Sequence, residues 1–166
     1  KNGEYSKITN GEFKIIGHGI NNEIIVDDND SEYVMATPGD IWKIAGHDST
    51  QYGSRLLGNI FGERRFTFPK SLYAVKDSLY FFTANKPNAL IVDFFAGSGT
   101  TLHAVNLLNA EDGGNRRCIM VTNNEVSDTE AKALTKQGYK PGDKEWEKLG
   151  IARYVTWPRT ICSIEG

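Results

Sequence analysis

The sequence predicts an α/β fold in which a small parallel sheet carries the functional site. Residues 89–95 form an apolar run that is typical of a strand covered on both faces, and a glycine-rich turn follows directly. Residues 102–109 continue as a helix, and the apolar run 118–122 returns as a second buried strand. Strand, helix and strand in about 35 residues indicate one right-handed βαβ unit.

Length and composition fit a folded domain. The chain has 166 residues, of which 39% are hydrophobic and 24% charged, so a disordered tail, a coiled coil and a collagen-like fibre are excluded. Its longest aliphatic run, Ala89–Val92, is far shorter than the roughly 20 residues of a membrane-spanning helix. We therefore expect a cytoplasmic protein with no membrane partner. Cys118 and Cys162 lack the spacing of a zinc site, and we expect two free thiols and no metal.

The charge is unevenly distributed, although the net charge is only −2. Lys1–Tyr52 contains 4 basic and 9 acidic residues, whereas Gly53–Asp77 contains 5 basic and 2 acidic residues. The acidic run 23–32 argues against DNA lying there and is typical of an exposed loop or hairpin tip. The Arg64-Arg65 pair, next to Phe66 and Phe68, leaves two interpretations open: a contact to phosphates, or a solvated surface.

Before the central unit, short stretches rich in Ile, Val, Phe and Tyr at 12–16, 23–26 and 32–35 predict strands of a small meander. A turn at 37–40 precedes a further apolar alternation at 41–44. Apolar pairs at 56–57 and 60–61 are spaced for one helical face that ends at Gly62. Pro69 is then expected to open a helix over 70–82, with an apolar stripe running to Phe82.

After the second strand the chain becomes polar. Ser127–Glu130 has the pattern of a capping box for a helix at 131–137, and the charged segment 143–149 carries Trp146 and Leu149 on one side. Residues 151–155 predict a last helix that Pro158 interrupts.

The glycine-rich turn is the strongest functional signal. It has neither the Gly-Lys-Ser/Thr ending of a phosphate loop nor the third glycine of a dinucleotide fingerprint. Helix amides and threonine hydroxyls there can hold a carboxylate, and Asp93 can accept from an ammonium group. An acid after the second strand, Glu125, is placed to accept ribose hydroxyls. An amino acid joined to adenosine describes S-adenosylmethionine, which is the predicted cofactor.

The run Asp93–Thr101 resembles the Asp-x-Phe-x-Gly-Ser-Gly-Thr-Thr motif of DNA amino-methyltransferases of the permuted (beta) class, in which the cofactor motif lies late in the chain. Gly53 with Leu56-Leu57 and the segment 66–71 resemble the cofactor-side segment that precedes this motif in the same class. The pattern at 103–117 resembles the modification subunits of Type III restriction–modification systems. The resemblance covers about residues 37–125. It implies a Rossmann-like S-adenosylmethionine-dependent methyltransferase fold, present as a partial sheet and cofactor-binding half, with a small β-rich N-terminal region. Residues 1–48 are then the end of the target-recognition region, and 49–166 the cofactor-binding half.

The resemblance also implies which residues surround the cofactor. They come from the loop, the segment before the helix at 70–82, and the end of the second strand: Phe68, Pro69, Lys70, Ser71, Asp93, Phe95, Ala96, Gly97, Ser98, Gly99, Thr100, Thr101 and Glu125. Solvated surface positions remain the alternative for Lys70 and Glu125. We interpret His103 as a structural residue of the helix.

The expected reaction is transfer of a methyl group from S-adenosylmethionine to adenine N6 in double-stranded DNA, within a restriction–modification system. Related enzymes use an Asp-Pro-Pro-Tyr-like motif to hold the flipped base, and none of the five prolines here adjoins another. We therefore assign no catalytic residue, expect the C-terminal part of a longer methyltransferase, and expect the chain alone to be inactive. Cytosine N4 methylation and a non-catalytic cofactor-binding or DNA-recognition module are the alternatives. Further partners are a restriction subunit and a second copy pairing at an open sheet edge.

Overall fold

The computed structural model describes residues 14–18, 24–27 and 41–165, which belong to two compact units, 1–45 and 46–166. In the first unit, β1 (Lys14–His18) pairs with β2 (Ile24–Asp27) in an antiparallel ladder that is irregular between Ile15 and Gly17. The strand predicted at 32–35 lies outside the described residues, so the β-rich character of this region stays a prediction.

The apolar alternation at 41–44 does not form a strand. Ile41 is 76% exposed, and the chain passes without regular structure into a single 3-10 turn, Ala45–His47. Apolar alternation alone does not make a strand, because a strand needs a neighbour to complete its hydrogen bonds, and no described strand pairs with this segment.

The second unit begins with a wide π-helical turn, Thr50–Arg55, that continues into α1 (Leu56–Phe61). Gly62 ends α1 in the left-handed conformation with φ of +71°, which confirms the predicted glycine stop. Gly53 in the wide turn is buried against the backbone of the next segment: a Cβ there would lie 2.7 Å from the Pro69 carbonyl oxygen.

Helix α2 (Leu72–Thr83) starts later than predicted, and Pro69 is not its first residue. The reason is Ser71, whose hydroxyl oxygen accepts from the Ala74 amide at 3.3 Å and caps the helix. The same hydroxyl donates to the Gly46 carbonyl at 2.8 Å. The predicted apolar stripe is buried only at its start, since Leu72 is 3% exposed and Phe82 is 71% exposed.

The predicted strand, helix and strand are confirmed. Strands β3 (Leu90–Asp93) and β4 (Arg117–Met120) pair in parallel, and α3 (Thr100–Asp112) connects them and packs on β4. Helix α3 also packs on α2 and ends at Gly113, with φ of +70°. This arrangement brings the ends of both strands and the start of α3 to one edge of the sheet.

The expectation that both strands are buried on both faces is wrong. Val92 pairs with Ile119 in the register, and both side chains are about half exposed, at 45% and 50%. Leu90 and Val121 are similarly exposed. Alternate side chains of a strand point to opposite faces, so one face of this two-stranded sheet is covered by no described element.

The C-terminal helices complete the unit. Helix α4 (Asp128–Lys136) is capped by Ser127, whose hydroxyl oxygen accepts from the Glu130 amide at 3.4 Å; this confirms the serine half of the predicted capping box. The Glu130 carboxylate accepts from the Ser127 hydroxyl at 2.6 Å. Helix α5 (Lys144–Lys148) follows. A second wide π-helical turn, Ala152–Thr156, leads into α6 (Trp157–Glu165).

Pro158 does not interrupt this last helix, contrary to expectation. It lies in the first turn of α6, directly after the wide turn, where a missing amide proton is tolerated. The hydrophobic core gathers side chains from five of these helical elements: Leu57, Leu72, Ala104, Val105, Leu108, Leu134 and Val155.

Two further features of the described residues bear on the sequence predictions. Cys118 and Cys162 are free thiols. None of the described helices is long and apolar enough to cross a membrane.

The packing of Gly53 makes a stability prediction. We expect Gly53→Ala to lower the free energy of unfolding by about 1–3 kcal/mol, because the new methyl group would overlap backbone atoms that have little freedom to move. Gly58→Ala in α1 is the matched control. A Cβ there meets nothing within 4 Å, and alanine favours a helix by about 1 kcal/mol. Urea unfolding followed by circular dichroism measures both; equal midpoints for the two variants would contradict the packing.

Candidate functional site

The glycine-rich loop joins β3 to α3. Gly97 and Gly99 both have positive φ values, +50° and +76°, so side chains are disfavoured at either position. Gly99 is the N-cap residue of α3 and offers no side-chain oxygen to the amides of the first turn. A helix start with this composition leaves its amide groups and its positive dipole end available to an anion.

Asp93 links the end of β3 to the start of α3. One carboxylate oxygen accepts from the Thr101 hydroxyl at 2.6 Å, and the other accepts from the Phe95 amide at 3.0 Å. The Asp93 carboxylate is thereby fixed at the carboxyl end of the parallel strands, as the motif predicted.

Both threonine hydroxyls of the motif are used within the chain. Thr101 donates to Asp93, and Thr100, which is 5% exposed, lies 3.2 Å from the Ser98 hydroxyl. The motif predicted that these hydroxyls hold a ligand carboxylate. In the structure the backbone amides of α3 are the groups that remain for that task, and the hydroxyls shape the loop instead.

Two residues that the sequence analysis missed brace the loop from the last helical segment. The Thr156 hydroxyl donates to the Gly97 carbonyl at 2.6 Å, and a Cβ on Gly99 would lie 3.2 Å from the Thr156 methyl group. Arg159, fully buried, donates to the Thr100 hydroxyl at 2.8 Å and the Ser98 hydroxyl at 3.2 Å. The sequence does contain a signal for this role, because Thr156 and Arg159 are polar residues on either side of Trp157-Pro158.

The segment before α2 also approaches the loop. A Cβ on Gly97 would lie 3.7 Å from Cζ of the Phe66 ring. Of the four residues predicted to close over the cofactor, Phe68 is 81% exposed and Lys70 is exposed, whereas Pro69 and Ser71 are buried. The side chains of Phe68 and Lys70 are open to solvent, whereas the Ser71 hydroxyl is used as a helix cap.

The other predicted site residues are likewise partly exposed and partly buried. Phe95 is 93% exposed at the loop, and Ala96 is buried beside it. Glu125 is exposed after β4, and its carboxylate accepts from the Asn123 side chain at 3.0 Å. The Glu125 carbonyl accepts from the Ile151 amide at 2.8 Å, which ties its backbone to the segment that braces the loop.

His103 lies one turn into α3 and contacts Arg159. Its Nδ1 atom accepts from the arginine Nε at 3.3 Å. Burial, and secondarily the arginine charge, lower the pKa of His103 from 6.5 to about 4. The ring is therefore neutral at neutral pH and acts as a hydrogen-bond acceptor, in agreement with the structural interpretation.

The basic segment 53–77 forms two different features. Arg65 lies between the rings of Phe61 and Tyr154, at 4.8 and 4.3 Å from their centres, so this arginine serves packing. Arg55, Arg64 and Lys70 line an open depression of about 790 Å³ with Phe68, and none of the described residues that line it carries a carboxylate. Among the described residues, no cluster of His, Cys, Asp and Glu could hold a metal ion.

The loop, its acidic strand end and its bare helix start form a candidate anion-binding site at the carboxyl end of the parallel strands of an α/β protein. The profile of the DNA methylase family (N6_N4_Mtase) matches residues 14–153, so the chain belongs to this DNA methylase family.

Three relatives agree with this membership. The chain is 37% identical over 110 residues to the Type II methyltransferase M.KpnI of Klebsiella pneumoniae, which covers 64% of this chain and 25% of that protein. It is 38% identical over 96 residues to the Type III restriction-modification enzyme StyLTI Mod subunit of Salmonella typhimurium, 58% of this chain and 14% of that subunit. For the EcoPI Mod subunit of Escherichia phage P1 the identity is 38% over 89 residues, covering 54% and 13%. The chain thus spans a quarter or less of each relative.

The lowered pKa of His103 makes the stability of the fold depend on pH. The unfolded chain binds a proton near pH 6.5 and the folded chain only near pH 4, so the free energy of unfolding falls as the pH drops through this interval. We expect the difference in unfolding free energy between wild type and His103→Gln to shrink from pH 7 to pH 5, because glutamine does not titrate. Denaturant unfolding at both pH values measures this; a constant difference, or an imidazole NMR titration near pH 6.5, would contradict it.

Proposed function

We propose that this chain is the cofactor-binding half of a DNA methyltransferase that transfers a methyl group from S-adenosylmethionine to adenine N6. The observation that carries the proposal is the loop between β3 and α3, where bare helix amides and the Asp93 carboxylate lie at one sheet edge. The membership of the chain in the DNA methylase family supports it. The fold proposed is Rossmann-like, with 1–48 as the end of a target-recognition region and 49–166 as the cofactor-binding half.

The residues present fit this cofactor. The positive helix end and its free amides suit the carboxylate of a methionine moiety, and Asp93 suits its ammonium group. Glu125 is exposed after β4, where its carboxylate can accept hydrogen bonds from the ribose hydroxyls. The exposed side chains of Phe68 and Lys70 are proposed to cover the bound ligand. S-adenosylmethionine supplies an electrophilic methyl group when bound. The chain supplies binding and orientation, and the base-holding motif is proposed to lie outside these 166 residues.

Double-stranded DNA is the proposed substrate. Arg55, Arg64 and Lys70 line a depression beside the exposed ring of Phe68, and their cationic side chains can bind the phosphates of a DNA backbone. Since two relatives are Type III Mod subunits, a restriction subunit is a proposed partner. A second copy, pairing at an edge of the two-stranded sheet, is another. We place this function in the cytoplasm. Cytosine N4 methylation remains the second candidate, because the name of the matching family includes both N6 and N4 methylation.

Cofactor binding is tested by calorimetry with S-adenosylmethionine on the protein as its gene encodes it. We expect wild-type protein to bind, and Asp93→Asn to bind at least about tenfold more weakly, because it loses a charged acceptor. Asp128→Asn, at the start of α4, is the control and should bind like wild type. Absence of heat from the wild-type protein would remove the cofactor from the proposal.

The reaction is tested by incubating that protein with duplex DNA and labelled S-adenosylmethionine, and by mass spectrometry of the digested nucleosides. We expect label in N6-methyladenine. Label in N4-methylcytosine would establish the second candidate instead, and label in neither, from protein that binds the cofactor, would favour a non-catalytic module.

DNA contact is tested with the double variant Arg55→Gln and Arg64→Gln. We expect weaker binding to all duplexes, and a plot of log affinity against log salt whose slope is smaller by about two, because two phosphate contacts are lost. Lys132→Gln and Lys136→Gln, on α4, form the charge-matched control. An unchanged slope would exclude this depression from the DNA interface.

A further inference from the structure

Arg159 is the most unusual polar residue of the described chain. Its side chain is 0% exposed, and its Nη1 lies within hydrogen-bond distance of three loop oxygens: the Thr100 hydroxyl at 2.8 Å, the Ser98 hydroxyl at 3.2 Å and the Ser98 carbonyl at 3.4 Å. Its Nε donates to His103 at 3.3 Å. The guanidinium group therefore lies directly beneath the glycine-rich loop.

None of these partners carries a negative charge. The other buried arginine, Arg116, is paired with the Asp112 carboxylate at 2.8 Å, whereas no described carboxylate pairs with Arg159. Its Nη2 atom is buried without a hydrogen-bond partner among the described residues. Burial lowers the pKa of Arg159 to about 10, which still leaves it charged at neutral pH. A buried cation without a counter-charge destabilises a fold, so its presence calls for a compensating role.

The position of this cation indicates that role. Ser98 and Thr100 flank Gly99, the N-cap residue of α3, so the guanidinium charge lies at the positive end of the helix dipole and adds to it. The carboxylate at the start of the loop, that of Asp93, accepts hydrogen bonds from Thr101 and Phe95 instead. The Arg159 guanidinium group and the N-terminus of α3 thus both place positive charge at the loop, and no described carboxylate neutralises it.

We propose that Arg159 is a positioning residue that fixes the glycine-rich loop through Ser98 and Thr100 and supplies the positive charge that a bound ligand's carboxylate neutralises. This inference rests on the proposed function, since the carboxylate is that of the methionine moiety. The guanidinium does not touch the ligand; it acts through the loop oxygens and through its field in a low-dielectric setting.

The test compares two ligands that differ only in the carboxylate, S-adenosylmethionine and its decarboxylated analogue, by calorimetry on the protein as its gene encodes it. Wild-type protein should prefer the carboxylated ligand. Arg159→Met and Arg159→Gln, which are neutral, should lose about tenfold of that preference, whereas Arg159→Lys should keep most of it. The matched control is Arg116→Lys. Arg116 is also buried, but it pairs with Asp112 at the C-terminal end of α3, so this change should leave the preference unchanged.

The outcomes separate the inference from the proposed function. If wild-type protein binds both ligands equally, the carboxylate role is overturned without any variant, while cofactor binding stands. If the neutral variants weaken both ligands by the same factor, Arg159 only stabilises the fold, and the inference is likewise overturned. If wild-type protein binds neither ligand, the proposed function fails and the inference falls with it.

Discussion

The geometry of the site depends on the contact between the last helical segment and the glycine-rich loop. Thr156 and Arg159 hold the carbonyls and hydroxyls of Gly97, Ser98 and Thr100, and the methyl group of Thr156 fills the space beside Gly99. A loop with two glycines is flexible by itself, because each glycine has many conformations to lose. The loop therefore obtains its shape from residues more than fifty positions away, and the start of α3 obtains its orientation from the loop.

This contact also explains why polar side chains are buried here. Their hydrogen bonds are mutual: the hydroxyls of Ser98 and Thr100 lie 3.2 Å apart and both accept from Arg159. Such a network stabilises one arrangement when its members are satisfied and destabilises the fold when a member is lost. The neutral ring of His103 belongs to it as an acceptor, so the histidine of the motif region contributes to shape.

The sequence predicted the parts of the fold that depend on local rules. The glycine stop at Gly62, the capping box at Ser127 and the strand, helix and strand around the loop all follow from short-range patterns, and Asp93 is where the motif required it. The errors arose where a distant partner decides the outcome. Strands β3 and β4 are exposed on one face because no described element covers it. The hydroxyl of Ser71, which opens α2 in place of Pro69, is held by the Gly46 carbonyl twenty-five residues earlier. Arg159 was missed because its partners lie about sixty residues earlier in the chain.

Because of the wide turn at Ala152–Thr156, the direction in which the side chains of α6 point depends on the number of residues in the turn as well as on their types. A π-helical turn accommodates one residue more than an α-helical turn, so it rotates everything that follows by about 100° about the helix axis. Arg159 lies in the first turn of α6, directly after this wide turn. A single deletion within the turn would rotate Arg159 away from Ser98 and shift Thr156 relative to Gly97, so the loop would lose both of the side chains that hold it. Relatives that share the motif but differ in length here would need a different side chain beneath their loop.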